Sequence, residues 1–138
     1  MSVRAFVDTN VIVYAHISND LEKHNSALSL LKERLVGSNV WISTQILSEF
    51  YAVMSKNQHE HIQIVKFIES IMQRTNVKPV ARETVEGALH IKARYQLSYW
   101  DSLMLSSAIE CGCETVYTED LQHNQIIENK LLIVNPFL

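Results

Sequence analysis

Phe6-Val7-Asp8-Thr9-Asn10 decides how this chain is read, because a short apolar run from Val3 delivers a carboxylate and then two residue types that cap helices. In open α/β sheets, chemistry gathers in the crevice outside the carboxyl ends of the strands, so an acid there is a candidate site residue. Three more acids stand in comparable places. Glu49 lies inside the apolar helix pattern Ile46 to Met54, Asp101 opens a second helix pattern, and Asp120 follows the strand pattern Thr115-Val116-Tyr117. Four acids so placed point to one metal site.

Outward from Asp8, the apolar period alternates between that of a strand and that of a helix. It predicts a strand near 3–7, helices near 10–17 and 21–35, a strand near 40–42, and helices near 45–56 and 61–74. A strand near 77–80, helices near 83–95 and 100–110, a strand at 115–117, a short helix near 121–128 and a last strand at 131–134 follow. Alternation of this kind predicts an α/β fold, a parallel sheet covered by helices. Gly37-Ser38-Asn39 and Thr75-Asn76 read as ordinary loops, so residues 1–138 are expected to form a single domain. Asn135-Pro136 ends the last strand, and apolar Phe137 and Leu138 predict a docked carboxyl terminus.

Twelve Lys and Arg against 15 Asp and Glu give a net charge of -3, which excludes a global positive field drawing the chain onto nucleic acid. Any such contact has to be local or metal-assisted. No apolar run approaches the roughly 18 residues of a membrane span, and Met1-Ser2-Val3-Arg4 enters the first strand without a signal-peptide core. The expectation is a soluble, cytoplasmic protein with no membrane association. Cys111 and Cys113 are too few for a structural zinc site and read as buried thiols. His59-Glu60-His61 lacks the spacing that sets two imidazoles on one helical face, so the histidines read as surface residues.

Each acid also has an ordinary explanation. Asp8 could cap the next helix, although Thr9 and Asn10 make that duty redundant and are themselves expected to cap or brace the turn. Glu49 falls on the border of the stripe Ile46, Phe50, Val53 and Met54, where a solvated flank is the common fate of a glutamate. Asp101 shares a helical face with Met104, Leu105 and Ala108, and an unpaired carboxylate on a buried stripe is costly. Ser98 and Asp101 also have capping-box spacing, a role compatible with metal binding. Glu119 or Asp120 can face the site; Asp120 is favoured because it can turn back over the sheet edge, with Thr118 finishing the strand or bonding a ligand. Gathered together, the acids repel one another and raise each other's pKa values unless a cation neutralises them. All-oxygen ligands favour one or two Mg²⁺ or Mn²⁺ ions.

At these residues the chain resembles the PIN-domain family, and within it the small VapC-type toxins of prokaryotic toxin–antitoxin pairs. The resemblance spans nearly the whole chain and rests on Phe-Val-Asp-Thr-Asn, Ser48-Glu49-Phe50, Tyr99-Trp100-Asp101-Ser102, Val116-Tyr117-Thr118-Glu119-Asp120-Leu121 and Ile133-Val134-Asn135-Pro136-Phe137. It implies a doubly wound sheet and a metal-dependent endoribonuclease whose catalytic acids map onto Asp8, Glu49, Asp101 and Asp120. A helical antitoxin partner and a homodimer are implied with it.

Metal ligation is expected from Asp8, Asp101 and Asp120, with Glu49 acting through water or as a base, and Thr9, Asn10, Thr118 and Glu119 in support. Substrate grip has to come from local cations such as Arg4, Lys78, Arg82, Lys92 and Arg94, with Tyr99 and Trp100 able to stack unpaired bases. The ordinary alternatives are a solvated basic face and, for Trp100, core packing. Two rivals stand beside the nuclease. A phosphatase with an aspartyl intermediate needs a second acid two positions after the first, where this chain has Asn10. A non-catalytic module would hold a partner helix in a groove formed by Leu28, Leu31 and Leu35 or by Phe67 and Ile71.

Overall fold

The structure, a computed structural model, describes residues 3–36 and 39–138. Met1-Ser2 and the joint Gly37-Ser38 lie outside them. Among the described residues six strands form one sheet, β1 (Arg4–Val7), β2 (Asn39–Ser43), β3 (Asn76–Lys78), β4 (Thr115–Tyr117), β5 (Ile126–Ile127) and β6 (Leu131–Val134), in the order β3-β2-β1-β4-β6-β5. All pairings are parallel except that of β5 with β6. Among the described residues six α-helices flank it: α1 (Thr9–His16), α2 (Leu21–Ser29), α3 (Thr44–Lys56), α4 (His61–Arg74), α5 (Arg82–Tyr95) and α6 (Tyr99–Glu110).

Strand β1 is central because Ala5, Phe6 and Val7 are all buried, the unbroken apolar run that a strand covered on both faces requires. The chain moves outward from β1 through β2 to β3, then returns to lay β4 along the other side of β1. That reversal opens a crevice between the carboxyl ends of β1 and β4. Val7 stands in register with Tyr117, and the Asp8 amide donates to the Tyr117 carbonyl at 3.0 Å. Asp8 and Thr118 are therefore set side by side where the strands end.

Four expectations change. No helix forms over 121–128: Asn124, Glu128 and Asn129 take left-handed backbone conformations (φ 70°, 52° and 57°), incompatible with a right-handed helix. The backbone instead bonds sideways, Asn124 N–H to the Ile133 carbonyl at 2.8 Å and Ile133 N–H to the Gln125 carbonyl at 2.9 Å, and β5 forms. The second helix gives way to a π-helical turn over Leu30–Arg34. At the carboxyl terminus Phe137 packs edge-on against Tyr14, whereas Leu138 is 85% exposed. Among the histidines, His16 is half-buried against Phe50 and Phe67, and burial holds its pKa below the ordinary value. Cys111 and Cys113 are free and buried. No helix among the described residues is long and apolar enough to cross a membrane.

Helices α5 and α6 make the most extensive helix pairing, and Gly87 permits it. A Cβ there would stand 2.5 Å from Ser106 Oγ, a buried hydroxyl donating to the Thr84 carbonyl at 2.8 Å. Gly87→Ala is expected to destabilise the chain by about 1–3 kcal/mol, the usual cost of overpacking. In the Ser106→Ala background most of that loss should vanish, and a denaturant double-mutant cycle showing simple additivity would refute the contact.

Candidate functional site

Asp8 closes β1 and opens α1. Its Oδ1 accepts the Thr9 amide at 2.6 Å, which makes Asp8 the helix cap, and its Oδ2 accepts the Thr118 hydroxyl at 2.6 Å. Both donors are neutral, and the side chain is only 6% exposed. Burial pushes its pKa up to about 7; the two hydrogen bonds oppose the rise, and the charges of Asp120 and Glu49 add to it. With Asp8 doing the capping, the next two side chains are free for other work. Thr9 Oγ1 donates to Glu49 Oε1 at 2.8 Å, and Asn10 Nδ2 donates to Asp120 Oδ2 at 2.9 Å.

Glu49 reaches the crevice from α3, whose Ile46, Phe50 and Met54 are buried as the stripe predicts. Asp101 reaches it from the first turn of α6, above the buried Met104, Leu105 and Ala108. Only half of the expected capping box forms: Ser98 Oγ accepts the Asp101 amide at 3.1 Å, while the Asp101 carboxylate has no hydrogen-bond partner among the described residues. Asp120 follows β4 and is exposed at the rim; desolvation raises its pKa, followed by the charges of Asp101, Glu119 and Glu49, with Asn10 opposing.

Asp8, Glu49, Asp101 and Asp120 line one cleft of about 500 Å³, with Thr9 and Asn10 between them. Among the described residues none of the four pairs with a cation. Nor do three His, Cys, Asp or Glu side chains there converge into a ready-made metal cage. The acids share a cavity, and three of them are tied instead to Thr9, Asn10 and Thr118.

Glu119 turns the other way. Its carboxylate accepts from the Tyr14 hydroxyl at 2.7 Å and pairs with Lys23 at 2.8 Å. That network raises the Lys23 pKa, chiefly through the Glu119 hydrogen bond. The cations named for substrate grip do not line the cleft. Arg82 pairs with Glu86, Arg94 with Glu128 and Lys78 with Glu110, Lys92 donates to the Leu97 carbonyl, and Arg4 donates to the Cys111 carbonyl. Trp100 lines the cleft and is 61% exposed, so it is not a core residue. Tyr99 packs edge-on against it and is half-buried.

Gln45 is the site residue that sequence reasoning missed. It is 8% exposed, and its Nε2 donates to Glu49 Oε2 at 3.4 Å and to the Trp100 carbonyl at 3.0 Å, linking α3 to the start of α6. Its spacing of four residues before Glu49 was the available signal.

A family model described as PIN domain matches residues 5–128. No curated protein sequence matches the chain. Among solved structures the chain is similar to VapC20 from Mycobacterium tuberculosis, described as a sarcin-ricin loop cleaving toxin. That match has TM-score 0.70 and 19% identity, covering 84% of this chain and 91% of the other. It is also similar to a toxin–antitoxin complex from Klebsiella pneumoniae, at TM-score 0.66 and 19% identity over 96% and 97% of the two chains. A third similar structure is VapBC2 from Rickettsia felis bound to a DNA fragment from its promoter, with TM-score 0.64 and 19% identity over 95% and 97%. At such identity these structures speak for the fold, whereas the family model spans most of the sequence. The chain belongs to the PIN-domain family.

Proposed function

We propose that residues 1–138 form one catalytic domain, a Mg²⁺- or Mn²⁺-dependent endoribonuclease cleaving structured or single-stranded RNA, and that it is the toxin of a toxin–antitoxin pair. The observation that carries this reading is the gathering of Asp8, Glu49, Asp101 and Asp120 around one crevice with no cationic side chain among the described residues to balance them. Membership of the PIN-domain family and likeness in fold to toxin–antitoxin structures support the RNA substrate and the antitoxin partner. Asn10, committed to Asp120, leaves no acid two positions after Asp8 and weighs against an aspartyl phosphatase.

The donors suit a hard divalent ion. The cleft offers carboxylates and amide oxygens without a thiolate or imidazole, and Asn10 Oδ1 is buried with no donor among the described residues. Asp8, Asp101 and Asp120 would hold the ion, with Glu49 engaged through water. The chemistry supplied by a bound ion is a lowered pKa for an attacking water and neutralisation of phosphate charge. The chain's own residues set the positions: Thr118 and the Thr9 amide fix Asp8, and Asn10 fixes Asp120. Glu49, braced by Thr9 and Gln45, would take a proton from the attacking water. The antitoxin would seat on an apolar recess of about 290 Å³ that includes Leu28, Leu31 and Ile71.

Incubated with total cellular RNA in Mn²⁺, the purified protein is expected to give discrete products that disappear with chelator. Asp8→Asn and Asp101→Asn should each lose more than about 100-fold in rate, the upper end of what partners outside the metal's ligands cost. Full activity in either variant would overturn the assignment. Light scattering is expected to report twice the 15.8 kDa chain mass, and a strictly monomeric protein would remove the homodimer from the proposal.

Asp8 also sets a pH dependence. With a folded pKa of about 7, the folded chain between about pH 4 and 7 keeps a proton that the unfolded chain has released, which favours the folded state. Asp8's contribution is therefore full below about pH 4 and is lost as pH rises towards 7, by at most about 4 kcal/mol. In chelator at pH 8, Asp8→Asn is expected to melt higher than the parent, and Mn²⁺ should stabilise only the parent. Equal melting temperatures in chelator at pH 8 would contradict this account of Asp8.

A further inference from the structure

The crevice continues past the acids. Beyond Glu49 it opens into a second lobe of about 510 Å³ whose walls include Val80 and Leu103, while Gln45, Glu49 and Trp100 line both lobes. Trp100 thus stands between the carboxylates and an apolar recess, with most of its surface open to solvent. Its position is fixed from two sides. Gln45 on the opposite wall holds its carbonyl at 3.0 Å, and Tyr99 braces the indole edge-on with 5.2 Å between ring centroids.

The same recess carries hydrogen-bonding capacity. Thr44 Oγ1 accepts the Val80 amide at 3.1 Å and keeps its own hydrogen, while Ser48 Oγ donates to the Thr44 carbonyl at 3.0 Å and keeps its lone pairs. Apolar walls, an exposed aromatic plane, and the Thr44 donor and Ser48 acceptor beside the shared Gln45 and Glu49 match a planar heterocycle with polar edges. A phosphate would find no cationic side chain, because among the described residues neither lobe is lined by Lys or Arg.

We propose that the second lobe is a nucleobase subsite, in which an unpaired base next to the scissile phosphate stacks on the Trp100 indole while Thr44 and Ser48 meet its edge. The inference rests on the ribonuclease reading of the acid lobe and says how that site recognises RNA. In a chain of net charge -3 with no cation in the crevice, stacking has to supply affinity that backbone electrostatics usually provides. Bases within a duplex are already stacked on their neighbours, so the subsite selects unpaired strands.

The test is fluorescence anisotropy of a dye-labelled single-stranded oligoribonucleotide with the full chain in chelator, paired with steady-state cleavage in Mn²⁺. Trp100→Leu is expected to raise both Kd and KM about tenfold, the scale of one lost stacked base, with the loss in KM rather than kcat. Trp100→Phe should restore most of the affinity. Val80→Glu, which changes the recess wall and leaves the indole and the four acids in the chain, should weaken binding similarly. A fully paired duplex should bind more weakly and be indifferent to Trp100→Leu. Unchanged binding in both Trp100→Leu and Val80→Glu, or no binding by the parent, overturns the subsite whatever cleavage gives. A parent that binds unpaired RNA through Trp100 and cleaves nothing overturns the ribonuclease reading instead.

Discussion

One buried carboxylate with two neutral donors organises this molecule. Asp8 is fixed by the Thr9 amide and the Thr118 hydroxyl, each at 2.6 Å, and neither carries a positive charge. A hydrogen bond from a neutral donor to an ionised carboxylate contributes about 1.5–3 kcal/mol net, and two of them do not offset the several kcal/mol needed to desolvate the ion beside other carboxylates. The imbalance surfaces as a carboxyl that holds its proton near neutrality. Its position is not adjustable, because the parallel register of β1 and β4 places Asp8 beside Thr118. The strand pairing that builds the core is therefore the same pairing that creates the uncompensated charge.

Three consecutive residues distribute this constraint to the rest of the cleft. Asp8 reaches Thr118 after β4, Thr9 reaches Glu49 on α3, and Asn10 reaches Asp120 past the end of β4. A single helical turn turns successive side chains by about 100°, which lets neighbours in sequence address different walls. Gln45 adds a fourth tie, from α3 to the start of α6. The cleft is held by hydrogen bonds between elements far apart in the chain, and Glu119 is drawn out of it by Tyr14 and Lys23.

The legible parts of the sequence were those whose signal is local. An apolar run ending in Asp8 marked both the central strand and its acid, and the stripe around Glu49 and the face behind Asp101 placed those two acids on helices that pack inward. Asp120 was chosen over Glu119 by strand-end geometry, and the structure sets Asp120 on the cleft. What could not be read depended on distant partners. Residues 121–128 have a helix-compatible composition, but their backbone bonds belong to β6, and three left-handed residues follow from that pairing. The spacing of Gln45 before Glu49 hints at their contact, but its bond to the Trp100 carbonyl depends on α3 facing the start of α6. Of the basic residues on α5 that resemble a grip for RNA, Arg94 meets Glu128 only in three dimensions, whereas the Arg82–Glu86 pair, four residues apart on one helix, is legible from spacing.

The antiparallel pair at the end of the sheet has a consequence for the molecule in a crowded solution. A parallel sheet ending on β6 would present a four-residue row of unpaired amides and carbonyls, a template for another chain to add to. Strand β5, two residues long, covers part of that row, and the left-handed residues Glu128 and Asn129 form the tight turn that returns the chain into β6. At the opposite margin β3 offers only three residues, followed directly by Pro79, which cannot donate to a ladder. Both margins are too brief to nucleate growth of the sheet between molecules, so association is left to side-chain surfaces, where partner choice can be selective.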